Sequence, residues 1–371
     1  MLGKYRLAVD KWADTFCILA PYADEVFSDW EEVEFRRDTF YIIGKEALTR
    51  SLENISSKSQ GNVILSHVAE GSITVVRDIE RLKLMELLQH NVLGLMHGGN
   101  INVKFNFPTV INDFPFSDII TAPENRIAHR EWEQIYQKID KPYTFLMLNG
   151  RLRSHRKFLI DALRDRGLLD QALWTNLQTR LEVAGTLPAK DIKEPIRLLP
   201  PEYEFAEAAK QMASIDGSLS WAKYKLFENV HWGDRVINPK AYIDTYFSLV
   251  TETVFEYHCS FRTEKIWKPV VMCQPFVVAS TTGFYRDLRN LGFRTFGGLI
   301  DESFDLIDDP IDRAQRIVDV VADICYNGPN QFLQAARSIC EHNYQRLDEY
   351  SRQEKCRLVG DLEVYLDKRL G

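Results

Sequence analysis

A chain of 371 residues suits two domains of ordinary size, and with 45% apolar and 27% charged residues it can bury a substantial core. The net charge of −7 excludes a general nucleic-acid binder, which neutralises phosphates with clustered Lys and Arg, and leaves open only a local basic face. No stretch reaches the ~18 apolar residues of a membrane span and the start, Met1 to Leu7, has no apolar signal region, so a soluble cytoplasmic protein is expected.

The six cysteines, Cys17, Cys259, Cys273, Cys325, Cys340 and Cys356, are far apart with no C-x-x-C pair, which predicts buried free thiols rather than bridges or a zinc site. The eight histidines show no H-E-x-x-H spacing, and no D-x-D follows an apolar strand, so no metal is expected.

In the first 140 residues, apolar runs at Thr39–Ile43, Val63–Ser66 and Val92–Met96 alternate with helix signals near 45–54 and 78–91. That alternation predicts a parallel sheet flanked by helices. His67 and His97 follow predicted strand ends, where open α/β sheets hold their ligands, and are candidate proton acceptors. Asp113 and Asp118, in the Pro-punctuated segment Phe107 to Pro123, are further candidates for a general base.

A helix signal from Glu124 to Ile139 ends at Asp140-Lys141-Pro142, the expected boundary between a domain of residues 1–140 and one of 141–350. The strand Tyr143–Leu148 then runs through Asn149-Gly150 into a helix from Ser154 to Asp165 with Phe158, Leu159, Ala162 and Leu163 as its core stripe. Arg151, Arg153, Arg156 and Lys157 crowd this junction. Cations at a helix N-terminus oppose its dipole, which favours an anionic ligand there. The sheet pattern continues over Leu168–Trp174, followed by a Pro-interrupted loop over Thr186–Glu202 and a helix signal from Glu204 to Asp216. Trp221, Tyr224, Phe227 and Trp232 are expected to pack in the core.

The strand Phe247–Val250 leads to Glu252 at its end, a candidate to face the ligand or the rim of its cleft. Next, Thr263 is expected to cap a helix opening with Glu264 and Lys265. Ile266, Trp267, Val270 and Val271 supply its apolar stripe, and Lys268 lies on the polar side. Pro269 should kink or loosen it, and Gln274-Pro275 should end it before the strand Phe276–Ala279. A helix start with a lysine suits a phosphate, and a glutamate beside it suits a ribose diol. The acidic run Asp301 to Asp309 reads as a solvated loop, and helices are expected over Pro310–Cys325, Asn330–Tyr350 and Glu354–Leu370.

The words Thr263-Glu264-Lys265-Ile266-Trp267-Lys268-Pro269 and Pro275-Phe276-Val277-Val278 resemble the donor-binding segment of GT-B glycosyltransferases, in particular the fucosyltransferase-like branch and related bacteriophage proteins. The run Asn149 to Arg156 is similar to the first β-α unit of the same donor domain. The resemblance covers about 143–178 and 246–306. It implies an α/β fold of two Rossmann-like domains facing across a cleft, with the helix of residues 351–371 crossing back to the N-terminal domain. It further implies that Glu264 holds the nucleotide ribose, Lys265 a phosphate, and Arg151 or Arg153 the diphosphate with Arg156 in support. Thr263, Lys268 and Glu252 complete the expected donor site. The implied activity is metal-independent transfer of a sugar from a nucleotide-diphosphate sugar, with no cofactor, to an acceptor that is a glycan, a protein or a modified base in viral DNA. Two other readings stand beside it: an inactive nucleotide-binding regulatory or structural protein of the same fold, and a nucleotide-sugar epimerase or hydrolase.

Overall fold

The computed structural model describes residues 2–11, 13, 16–29, 32–44, 62–67, 92–98, 100–101, 109–112, 132–181, 186–189, 191–204, 237–256 and 259–370. The helix signals at 45–54, 78–91 and 204–216, most of that at 124–139, the aromatic segment from Trp221 to Trp232, and Asp113 and Asp118 lie outside the described residues or largely so. The chain divides into two compact units, one formed by Met1–Pro115 with Ser351–Gly371 and the other by Phe116–Tyr350.

The first unit holds a six-stranded parallel sheet. Its strands are β1 (Arg6–Asp10), β2 (Glu25–Phe27), β3 (Thr39–Gly44), β4 (Val63–His67), β5 (Val92–Gly98) and β7 (Thr109–Asn112), in the order β2-β1-β3-β4-β5-β7. A two-residue strand, β6 (Asn100–Ile101), follows β5, and a one-turn helix, α1 (Phe16–Leu19), lies between β1 and β2. Leu7 to Val9, Phe40 to Ile43 and Val63 to Leu65 are buried without alternation, as expected for parallel strands covered on both faces. Leu358, Val359, Leu362 and Leu366 of the C-terminal segment join Leu7, Val9, Phe40, Ile42 and Ile64 in this core. Lys4 and Tyr5 both bond Asp367.

The second unit holds a four-stranded parallel sheet of β8 (Tyr143–Asn149), β9 (Ala172–Asn176), β10 (Thr245–Thr251) and β12 (Phe276–Ala279), in the order β12-β10-β8-β9, with a short β11 (Cys259–Ser260) outside it. Its helices are α2 (Glu133–Gln137), α3 (Ser154–Asp165), α4 (Pro239–Ile243), α5 (Glu264–Val271), α6 (Phe284–Asn290), α7 (Pro310–Asn327) and the first half of α8 (Pro329–Leu370). The strand signals at 39–43, 63–66, 92–96, 143–148, 247–250 and 276–279 and the helix at 154–165 all appear within a few residues of where the apolar pattern puts them.

Three boundaries differ from the sequence reading: the strand expected over Leu168–Trp174 is β9, which begins only at Ala172 after a single 3-10 turn over Leu169–Gln171. The expected pair of helices after residue 329 is one helix, α8, because Ser351-Arg352-Gln353 contains neither proline nor a glycine stop and the turn at Tyr350 to Ser351 stays helical. Helix α5 runs through Pro269 to Val271, with Met272 as its C-cap. Cys273 there takes the left-handed conformation (φ 53°) usual for glycine, and the Gln274 N–H reaches back to the Pro269 carbonyl at 2.9 Å.

Among the described side chains, Cys273 and Cys340 are buried, Cys325 half-buried and Cys356 exposed, all as free thiols. Burial pushes the Cys273 and Cys325 thiols up to about 12, which keeps them unreactive at neutral pH. No helix among the described residues is long and apolar enough to cross a membrane.

Candidate functional site

In the second sheet the chain leaves β8 for β9 on one side, then returns to place β10 on the other. The strand order therefore reverses between β8 and β10, and open α/β sheets hold their ligands at the carboxyl ends beside such a reversal. Both basic segments singled out in the sequence meet this edge. Helix α3 starts directly after β8, and α5 starts after the loop that follows β10.

Glu252, one residue past β10, links the two. Its main-chain carbonyl accepts from His155 Nε2 (2.9 Å) and from the Arg156 guanidinium (3.3 Å), both in the first turn of α3. Its carboxylate accepts from the Thr263 N–H (3.1 Å) and hydroxyl (2.7 Å), at the cap of α5, and from the Thr253 N–H (3.2 Å). Glu252 is fully buried, so its carboxylate does not line the rim as expected from the sequence. It is consumed in fixing the start of α5.

The cap itself forms as expected: the Thr263 hydroxyl accepts from the Lys265 N–H at 3.4 Å. Lys265 Nζ bonds Glu264 (2.6 Å) and the Thr263 hydroxyl (3.1 Å), so these groups form one contiguous patch at the helix start. The Lys265 side chain is 20% exposed and that of Glu264 12%, which leaves both reachable at the surface. Lys268 is buried rather than on an open polar face, since the short helix is enclosed on nearly all sides. Ile266, Trp267, Val270 and Val271 are buried as the stripe requires, with Trp267 against Phe293 and Tyr350.

The arginine-rich junction sorts into different roles. Arg151 is exposed, Arg153 half-buried as the residue preceding α3, and Arg156 buried. Arg156 donates to the carbonyls of Arg151 (2.8 Å), Thr251 (2.9 Å) and Glu252, binding the ends of β8 and β10 together. Lys157 is also buried, paired with Asp161 and with Glu194 (3.4 Å), so it adds no free charge to the edge. Arg151 is thus the most accessible cation of this block.

Several residues that position the edge were missed in the sequence. Asn149, the last residue of β8, accepts from the Thr251 hydroxyl at 2.5 Å, and Ser154 donates to Glu256 at 2.8 Å. The His155 ring stacks parallel on Phe255 with centroids 5.1 Å apart, and the Arg313 guanidinium lies 4.6 Å from the Phe255 ring. Polar residues closing an apolar strand, as Asn149 and Thr251 do, are the signal that points to them. Arg313 lies more than fifty residues away and carries no local signal.

The acidic run turns out to be a set of braces. The Asp305 carboxylate accepts from the N–H groups of Tyr285 and Arg286 in the first turn of α6, Asp309 caps α7 through Ile311 and Asp312, and Glu302 holds the Phe296 N–H.

Electrostatics follow from this packing. Burial, reinforced by Arg156, lowers the His155 pKa well below the ordinary imidazole value, so the ring is neutral and carries its proton on Nε2 toward the Glu252 carbonyl. Burial, which alone would raise the Glu264 carboxyl, is outweighed by Lys265 and then Lys268, so Glu264 titrates below its usual range and is ionised at neutral pH. Glu252 is raised, chiefly by burial and despite the opposing pull of Lys265, with Glu264 repulsion adding to the rise.

The raised value has a stability consequence. A carboxyl whose folded pKa exceeds its unfolded one favours folding below the unfolded value near 4.5, and that contribution is lost as pH rises through the higher folded value. Glu252→Gln should therefore flatten the pH dependence of stability in that window. The check is urea unfolding from pH 4 to 8, with the wild-type advantage over the variant shrinking as pH rises; a growing advantage would mean that Glu252 titrates below its ordinary value.

In the first unit, the candidates His67 and His97 fall at the ends of β4 and β5 and are register partners. Asp113 and Asp118 are outside the described residues. Among the described residues, no group of three or more His, Cys, Asp or Glu could hold a metal ion.

No family model matches the chain, and no curated protein matches it in sequence. Among solved structures, it is similar to the crystal structure of an α1,3-fucosyltransferase at 10% identity, over 98% of this chain and 90% of that one, with a TM-score of 0.46.

Proposed function

We propose that the protein is a metal-independent glycosyltransferase of GT-B type. It takes a sugar from a nucleotide-diphosphate donor bound at the carboxyl edge of the second sheet and passes it to an acceptor held by the first unit. The observation that carries this reading is the double use of Glu252, whose carbonyl anchors the start of α3 and whose carboxylate anchors the start of α5. Two helix N-termini, with Arg151 beside one and Lys265 on the other, suit a diphosphate. An ionised Glu264 next to Lys265 suits a ribose diol.

Chemistry at such an edge consists of positioning the donor and neutralising the departing diphosphate. As the sugar–phosphate bond breaks, its electron pair leaves with the diphosphate, and fixed cations hold the charge that develops. The acceptor oxygen forms the new bond and gives up its proton to a base. The neutral His155 cannot serve as that base, because its ring is buried and stacked on Phe255.

A calorimetric panel of UDP, GDP, CMP, dTDP and ADP, with and without EDTA, tests the donor site. One diphosphate should bind equally well in EDTA and lose affinity in Glu264→Ala by roughly tenfold, the value of a charged hydrogen bond. Binding of none of them would remove the donor site. Consumption of the matching nucleotide sugar without an acceptor would instead favour a hydrolase or epimerase.

A further inference from the structure

Helix α7 starts at the carboxyl edge of the second sheet, where Arg313 binds the loops, but its far half borders a cavity of about 320 Å³. The first turns of α8 and the loop from Leu299 to Asp301 close the other sides. The α7 residues that line it, between Val320 and Asn327, lie roughly 10–20 Å beyond Arg313 along the helix axis, so the cavity is separate from the candidate donor site. Its floor is apolar, formed by the buried Val320, Ile324 and Phe332. The Phe332 ring makes edge contacts with Phe247 and Phe296 at centroid distances of 6.1 and 5.8 Å, which hold that floor in place.

The rim is acidic. Asp301 stands on the loop and Asp323 on α7, and no lysine or arginine lines the cavity. Asp301 is bonded by Arg316 and by the Ser303 N–H (2.8 Å), which together hold its carboxyl at about 2, and Asp319 is paired with Arg166. Asp323 has no hydrogen bond or ion pair among the described residues, only a longer-range attraction to the Arg316 that Asp301 already engages. Two guanidiniums thus face three carboxylates. One negative charge is left over beside an apolar floor.

We propose that this cavity binds a small organic amine, with the apolar body of the ligand on Val320, Ile324 and Phe332 and its ammonium group on the Asp323 carboxylate. A volume at the small end of the roughly 300–1,000 Å³ of ligand pockets admits one ring or a short chain. An anion finds no cation in the lining, and a metal ion finds no set of three ligands among the described residues. A neutral ligand leaves the rim charge uncompensated, whereas an ammonium gains a charge-assisted hydrogen bond. The side-chain amide oxygens of Asn327 and Gln331, also at the rim, are acceptors for its remaining N–H groups. Neither Arg151, Glu264 nor Lys265 lines the cavity, so amine binding needs none of the residues of the candidate donor site.

The test is an NMR titration of the full chain, ¹³C-labelled at isoleucine and valine methyls, with phenethylamine, phenethyl alcohol and phenylacetate, which share a body and differ in charge. The Val320 and Ile324 methyls should shift as the amine is added to millimolar concentration. The amine should bind roughly tenfold more tightly than the alcohol, and the acid should bind least. Asp323→Asn, which keeps the size of an exposed side chain, should weaken the amine by roughly tenfold and leave the alcohol unchanged. The three-ligand series on the wild type gives the charge preference without depending on how the variant folds. Methyls that stay still, equal affinity for amine and acid, or an amine affinity unchanged in Asp323→Asn would each overturn the proposal.

Discussion

Replacing Arg313 with alanine is expected to destabilise the protein by about 3–5 kcal/mol, a greater loss than for any other single substitution considered for the second unit. The side chain is buried and donates to four carbonyls: Ser280 (3.1 Å), Phe255 (2.6 Å), Ile307 (2.6 Å) and Asp308 (3.0 Å). These lie after β12, after β10 and before α7, so one guanidinium fastens the loops at the carboxyl edge of the sheet. Hydrogen bonds from a charged donor each contribute about 1.5–3 kcal/mol, and they do not add fully because the freed carbonyls find some water. Arg313→Lys should recover about half of the loss, since an ammonium cannot span the same fork. Urea unfolding followed by tryptophan fluorescence measures both variants, and a loss under about 1 kcal/mol for alanine would show that the loops hold without the clamp.

Lys265→Ala and Arg151→Ala should each weaken nucleoside-diphosphate binding by about 1.5–3 kcal/mol, or roughly 10- to 150-fold, with little effect on folding. Arg151 is exposed, and Lys265 bonds its sequence neighbours Glu264 and Thr263. Arg156 provides the contrast. Its guanidinium ties the ends of β8 and β10, so Arg156→Ala should show first as lost stability. Calorimetry at fixed salt decides the matter, and unchanged affinity in both Lys265→Ala and Arg151→Ala would discard the site.

Much of the second sheet could be read directly. The apolar run Phe145–Leu148 gave β8, Phe276–Ala279 gave β12, and Thr263 marked the start of α5, because strand runs and helix caps are written within a few adjacent residues. The positions of Glu264 and Lys265 at the start of α5, and of Arg151 just after β8, were legible in the same way. Glu252 was recognised by position but not by direction: its carboxylate turns inward to Thr263, a contact spanning eleven residues that no local pattern records.

The amino-acid sequence by itself determined where most strands and helices lie, the caps, and the two basic helix starts, since each depends on neighbours a turn or less away. Only the tertiary structure decided which cations remain accessible. Arg156 and Arg313 are consumed by carbonyls 95 and 58 residues distant, and Lys157 by Glu194, because buried donors must find acceptors wherever the fold brings them. Strand order was likewise tertiary. The reversal between β8 and β10 arises from how parallel strands pair, and that pairing places Glu252 at the carboxyl edge.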